Sequence, residues 1–136
     1  MRAMLLFLLA ALPAPALAAP DLSGEWLVED KSATVTIGRC GASWCGRVAR
    51  ILERKPGWKG TDVNNPDPKL RSRTVQGLPI LTGFKPDEKG LTGGRIYDPK
   101  SGKTYRSMLR LNADGSLKVS GCIAFFCQSQ RWTRAR

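Results

Sequence analysis

Lys103-Thr104-Tyr105-Arg106-Ser107-Met108-Leu109-Arg110-Leu111, followed by Asn112-Ala113-Asp114-Gly115, decides the fold. Tyr105, Ser107, Leu109 and Leu111 fall on one face of an extended chain; Thr104, Arg106, Met108 and Arg110 fall on the other. That period of two is the pattern of a half-buried strand. The Asn-Ala-Asp-Gly run supplies the turn that ends it. Outward from here the same alternation recurs in Val35 and Ile37, and in Leu117 and Val119. Asp98-Pro99-Lys100-Ser101-Gly102 is a second strong turn. Gly and Pro punctuate the chain at about the 8–12-residue spacing of sandwiches and barrels, and no long segment has helical periodicity. The reading is all-β: an antiparallel up-and-down barrel of about eight strands with one long loop. The expected strands are 24–29, 33–39, 46–52, 78–84, 93–97, 103–111, 116–121 and 128–134. Gly93-Gly94 reads as a bend within its strand.

One stretch breaks the pattern. Asn64-Asn65-Pro66-Asp67-Pro68-Lys69-Leu70-Arg71-Ser72-Arg73 lies within a 53–77 loop that is longer than a hairpin connection, and long ordered loops tend to be functional. Asn65 before Pro66 starts a turn. Asp67 caps a helical segment with Pro68 at its first position, and Lys69 to Arg73 are expected to form one or two helical turns. Leu70 is the large apolar side chain there and is expected to anchor the loop. Arg71 and Arg73 are left with solvent, a carboxylate or an anionic ligand.

The first 18 residues read as a secretory signal: Arg2, an apolar run from Met4 to Leu12, then Ala16-Leu17-Ala18 as the cleavage site. The run is too short for a membrane span. Removing 18 of the 136 residues leaves 118, one domain covering 19–136. Formal charge falls only from +11 to +10 with loss of Arg2. Such a charge attracts anionic surfaces. Export argues against nucleic acid and favours an anionic envelope component, placing the protein in the periplasm or outside the cell.

The four cysteines fall at two hairpin tips, Cys40 and Cys45, then Cys122 and Cys127. Two such pairs could hold zinc, and three disulfide connectivities exist. An oxidising compartment favours disulfides, and residues facing across a hairpin lie near bonding distance. Local pairing is therefore expected, each ring contributing about 2 kcal/mol.

The chain contains no histidine. Ser-His-Asp and Cys-His nucleophilic sites and histidine metal sites are excluded. The carboxylates available for paired acid–base work are Asp62, Asp67 and Asp98, each also a typical turn or cap residue. No catalytic residue, metal or cofactor is assigned.

The order of motifs resembles a bacterial family. Gly24-Glu25-Trp26, Cys40-Gly41 with Cys45-Gly46, Asn65-Pro66-Asp67-Pro68, Leu70-Arg71-Ser72-Arg73, Gly93-Gly94-Arg95-Ile96-Tyr97-Asp98-Pro99, Gly102-Lys103-Thr104-Tyr105 and Trp132-Thr133-Arg134 together resemble the exported family called domain of unknown function 2147. The resemblance implies a small secreted or periplasmic β-protein and brings no activity with it. Thr74 stands where the family commonly has proline, and the Cys122–Cys127 pair is not general to it. More loosely, Gly24-x-Trp26 with Arg134 resembles calycin barrels such as lipocalins, where a first-strand tryptophan packs against a basic residue of the last strand.

Strand counting sorts the loops. One end collects Cys40–Cys45, Pro86–Gly90, Asn112–Gly115 and the Trp26–Arg134 closure. The other collects Asp30–Ser32, the 53–77 loop, Asp98–Gly102 and the apolar tip Ile123–Phe126. Phe125 and Phe126 are core if the loop covers them and a contact surface if it does not. The leading expectation is a non-catalytic module that binds a small amphipathic or anionic ligand beneath the loop. Asn65, Asp67, Arg71, Arg73, Tyr97 and Tyr105 are its candidate ligand residues. The alternatives are an interaction protein using its basic surface, and a hydrolase using the loop's aspartates.

Overall fold

The computed structural model describes residues 10–14 and 19–135; the expected leader, residues 1–18, lies outside them apart from 10–14. Eight strands run in chain order: β1 (Gly24–Leu27), β2 (Ala33–Cys40), β3 (Ser43–Ile51), β4 (Pro79–Asp87), β5 (Gly90–Asp98), β6 (Lys103–Leu111), β7 (Leu117–Ile123) and β8 (Phe126–Arg134). Each pairs antiparallel with the next, and β8 returns to β1 to close the barrel. Inward alternation is what makes this possible. Val35, Ile37, Val48, Leu81, Leu109 and Val119 are all buried, while the residues between them largely face water.

β6 has its expected bounds, and several neighbours are longer than expected. The ladders continue to the tips of the hairpins, where a residue of positive φ reverses the chain: Gly41 between β2 and β3, and Ala124 between β7 and β8. β1 is shorter than expected, because Val28 and Lys31 already belong to the turn into β2. In β5 the register with β6 shifts between Leu91 and Gly94, so the glycine pair does form a bulge. A Cβ on Gly94 would lie 2.4 Å from the Phe84 ring, so glycine is what admits that fully buried phenylalanine to the core.

The end formed by the β2–β3, β4–β5 and β6–β7 turns is closed. The Arg134 guanidinium stacks over the Trp26 indole, 4.1 Å from its centre. Trp26 and Arg134 are also register partners across the β1–β8 seam. Trp26 Nε1 donates to the Leu22 carbonyl at 2.9 Å, and the Leu22 side chain is buried in the core. Arg134 donates to the carbonyls of Ser23 and Asp21. Gly24, at φ +117°, passes so close that a Cβ would sit 2.9 Å from Arg134 Nη1. Gly24, Trp26 and Arg134 thus form one closure.

Cys40 bonds to Cys45 and Cys122 to Cys127, each pair within its own hairpin. Two such crosslinks are those of a chain that folds in an oxidising compartment. Among the described residues no helix is long and apolar enough to cross a membrane.

Candidate functional site

At the opposite end the barrel is hollow. A cavity of about 730 Å³ opens there, within the range of small-molecule sites. Its wall is apolar, from Val35, Val48, Ile51, Ile80, Ile96 and Trp132. Its rim is charged with both signs: Glu29, Asp30, Glu53 and Asp98 against Lys55 and Lys100. Lys100 pairs with Asp30 and also reaches Ser32, which ties the β5–β6 turn to the β1–β2 turn. Burial pushes the Asp30 carboxyl up; the hydrogen bonds from Lys100 and Ser32 outweigh it and hold the group at about 2.

The wall is incomplete on one side. β1 and β8 are in register only at Trp26–Arg134 and Leu27–Thr133. Residues 126–131, the first part of β8, therefore run past the end of β1 and are exposed. Gln130 lines the cavity there, and its side-chain oxygen accepts from Trp132 Nε1 at 3.0 Å.

The 53–77 loop is a built lid. Thr61 and Thr74 form a β-bridge, flanked by Asp62 N donating to Arg73 O and Val75 N to Gly60 O. Trp58, Val63, Asn64 and Val75 turn towards the cavity. Trp58 is held by its Nε1, which donates to Thr61 O at 2.8 Å. Asn64 Nδ2 donates to the carbonyls of Pro99 and Lys100, fastening the lid to the β5–β6 turn.

The centre of the lid is Asp62, which has 0% exposure. Its Oδ2 accepts from Asn65 Nδ2 at 2.9 Å and from Arg73 Nε at 3.0 Å, and its Oδ1 accepts from Tyr97 OH at 2.6 Å. Burying a carboxyl group without such partners would be costly. Burial, then the hydrogen bond and charge of Asp62, push the Tyr97 phenol up to about 12.

The candidate residues divide accordingly. Asp67 caps a single 3-10 turn, Pro68–Leu70, accepting from Lys69 N at 3.0 Å. Asn65 Oδ1 accepts from Asp67 N, and Arg71 Nε donates to Asn65 O at 2.7 Å. Asn65, Asp67, Arg71, Arg73 and Tyr97 thus meet in one network, and of these Tyr97 lines the cavity. A smaller hollow of about 250 Å³ outside the calyx is bordered by Arg73, Asn65 and Tyr97 together with Arg95, Thr82 and Thr104. Tyr105 stands apart, half-buried in register with Ile96.

Leu70 does not anchor the lid: it is 37% exposed. The polar network around Asp62 holds the loop instead, with Val75 and Leu78 buried at its return. Sequence reasoning treated Asp62 as one of three aspartates and missed it as the hub. A lone aspartate carries no periodic signal, and its partners come from positions 65, 73 and 97. Asp98 likewise has turn partners, accepting from Ser101 Oγ and Lys100 N.

Among solved structures the chain is similar to protein HP1028 of the human pathogen Helicobacter pylori, which belongs to the lipocalin family. The TM-score is 0.73 and the identity 24%, over 85% of this chain and 84% of that one. At that identity the likeness shows the fold alone: a lipocalin-like barrel. No curated protein matches the chain. The family model described as "Uncharacterized protein conserved in bacteria (DUF2147)" matches residues 24–134, and the chain belongs to that family.

Proposed function

We propose that the protein is a non-catalytic carrier that holds a small amphipathic ligand in the calyx. Export by the leader would place it in the periplasm or outside the cell. One observation carries the reading: a cavity of about 730 Å³ with an apolar wall and a charged rim, at the end of the barrel opposite the Trp26–Arg134 closure. An acyl or isoprenoid-like tail of the ligand lies against Val35, Val48 and Ile96, and burial of that tail is the main source of affinity. The polar head stays at the rim, within reach of Tyr97, Lys55 and Lys100. Arg71 and Arg73 act one step back: they keep the lid in the shape that presents Trp58 and Asn64 to the ligand. For an anionic head, Lys55 is the available cation, having no carboxylate partner among the described residues.

Titration of the delipidated protein with a fluorescent fatty acid tests this. We expect saturable one-to-one binding. Ala33→Trp, which places an indole in the cavity from a half-buried wall position, should weaken it at least about tenfold. Absence of saturable binding, or an unaffected Ala33→Trp variant with an unchanged fold, defeats the carrier reading.

A further inference from the structure

The β7–β8 hairpin ends in an apolar point with no counterpart elsewhere on the described surface. Ile123 is 61% exposed, Phe125 100% and Phe126 85%. Exposed phenylalanines on a loose loop would carry little meaning, but this tip is held. Cys122 and Cys127 are register partners joined by a disulfide, and Ile123 pairs with Phe126 directly above them. The two-residue turn, Ala124 and Phe125, therefore projects its side chains on a short rigid stem.

Cations lie behind the point. Arg106 Nη2 donates to the Ala124 carbonyl, so its guanidinium sits at the tip itself. Across the outer face of the barrel, Arg95 is opposite Arg106, and Arg106 is opposite Cys122. At one strand spacing each, Arg95 lies about 10 Å from the disulfide. Two like charges directly opposed across a ladder are unfavourable. Neither has a carboxylate within ion-pair distance among the described residues. Arg95 also borders the hollow outside the calyx, where Thr82 and Thr104 contribute hydroxyls.

We propose that this tip docks the protein on an anionic lipid bilayer, with Phe125 and Phe126 entering the acyl boundary and Arg106 and Arg95 meeting headgroup phosphates. The shape favours lipid over a protein partner. A stable protein interface needs a broad surface of about 1,000 Å² or more, whereas a convex point of three side chains inserts into a fluid layer. Apolar insertion combined with nearby cations is the arrangement by which proteins bind anionic membranes reversibly. Docking in this way brings the exposed first part of β8, and the cavity beside it, against the membrane. The inference goes beyond the carrier reading, because the tip would bind lipid whether or not the calyx is filled.

Sedimentation with vesicles tests it, using the oxidised protein recovered after export. We expect binding to vesicles of mixed phosphatidylglycerol and phosphatidylcholine, and weak binding to phosphatidylcholine alone. Phe125→Ser with Phe126→Ser should lower the partition coefficient at least about tenfold without changing the melting temperature. Phe125→Ser alone, at a side chain that touches nothing, serves if the double variant folds poorly. Arg95→Glu with Arg106→Glu should lower binding to the anionic vesicles while leaving the weak neutral-vesicle binding unchanged. Ala33→Trp should leave vesicle binding intact, which separates this proposal from the carrier. Three results overturn it: no vesicle binding, binding that the phenylalanine substitutions leave untouched, or a dimer of the wild type that those substitutions dissolve.

Discussion

The two ends of the barrel are held in opposite ways. The closed end relies on packing: Trp26 is fully buried beneath Arg134, and Leu22 is buried with it. The open end relies on polar contacts: a single buried carboxylate, Asp62, gathers Asn65, Arg73 and Tyr97, and the apolar residue expected to anchor that loop lies exposed. Apolar burial is non-directional and hard to undo piecemeal. A charge-centred network is directional and depends on the placement of each partner.

If that contrast is right, the two ends fail differently when cut. Trp26→Ala should cost about 3–5 kcal/mol of global stability in a denaturant titration, as truncation of a buried aromatic does. A loss near zero would mean that Trp26 is not what closes the barrel. Asp62→Ala should cost about 2–3 kcal/mol, since it leaves Asn65 and Tyr97 donors unpaired. Most of that loss should be local. Hydrogen exchange at the lid amides, Arg73 to Val75, should accelerate while the amides of β6 and β7 keep their protection. Uniform acceleration through the barrel would erase the distinction between the ends.

The smallest effect is a matter of pH. The Tyr97 phenol stands at about 12 in the folded protein against an ordinary value of 10.0. A folded value above the unfolded one means that its stabilisation is complete below pH 10 and lost as pH rises towards 12. Lid protection should weaken across that window, and the closed end should not respond to this group. The difference in absorbance at 295 nm between the wild type and Tyr97→Phe should show one phenol titrating near pH 12. Titration of that phenol near pH 10 would show that Tyr97 is not held buried against Asp62 in solution.

How legible each end was follows from the same contrast. The closure could be read because Gly24, Trp26 and Arg134 form a recognisable motif, and because an even number of sequential strands must return the last to the first. The lid could be read only in its local parts. The Asp67 cap is decided by neighbours within three residues and formed as expected, while the helical segment expected through Arg73 is a single 3-10 turn that ends at Leu70. Arg71 and Arg73 were expected as ligand residues; in the structure Arg71 donates to the Asn65 carbonyl and Arg73 to Asp62. Leu70 was misassigned because apolar character along a sequence says that burial is favourable, not that space exists for it.

The sequence by itself determined the strand periodicity, the turns, the local disulfide pairs and the absence of histidine chemistry. Each depends on residue identity or on spacings of a few residues, where backbone sterics and chain entropy act directly. Only the tertiary structure decided that Asp62 is the hub of the lid, that the calyx is hollow, and that the Phe125 tip stands uncovered. Those depend on which side chains meet, at separations up to the 35 positions between Asp62 and Tyr97, and on how much volume the strands enclose. Neither is written in any local pattern, because burial and pairing of a charged group are properties of the assembled surface around it.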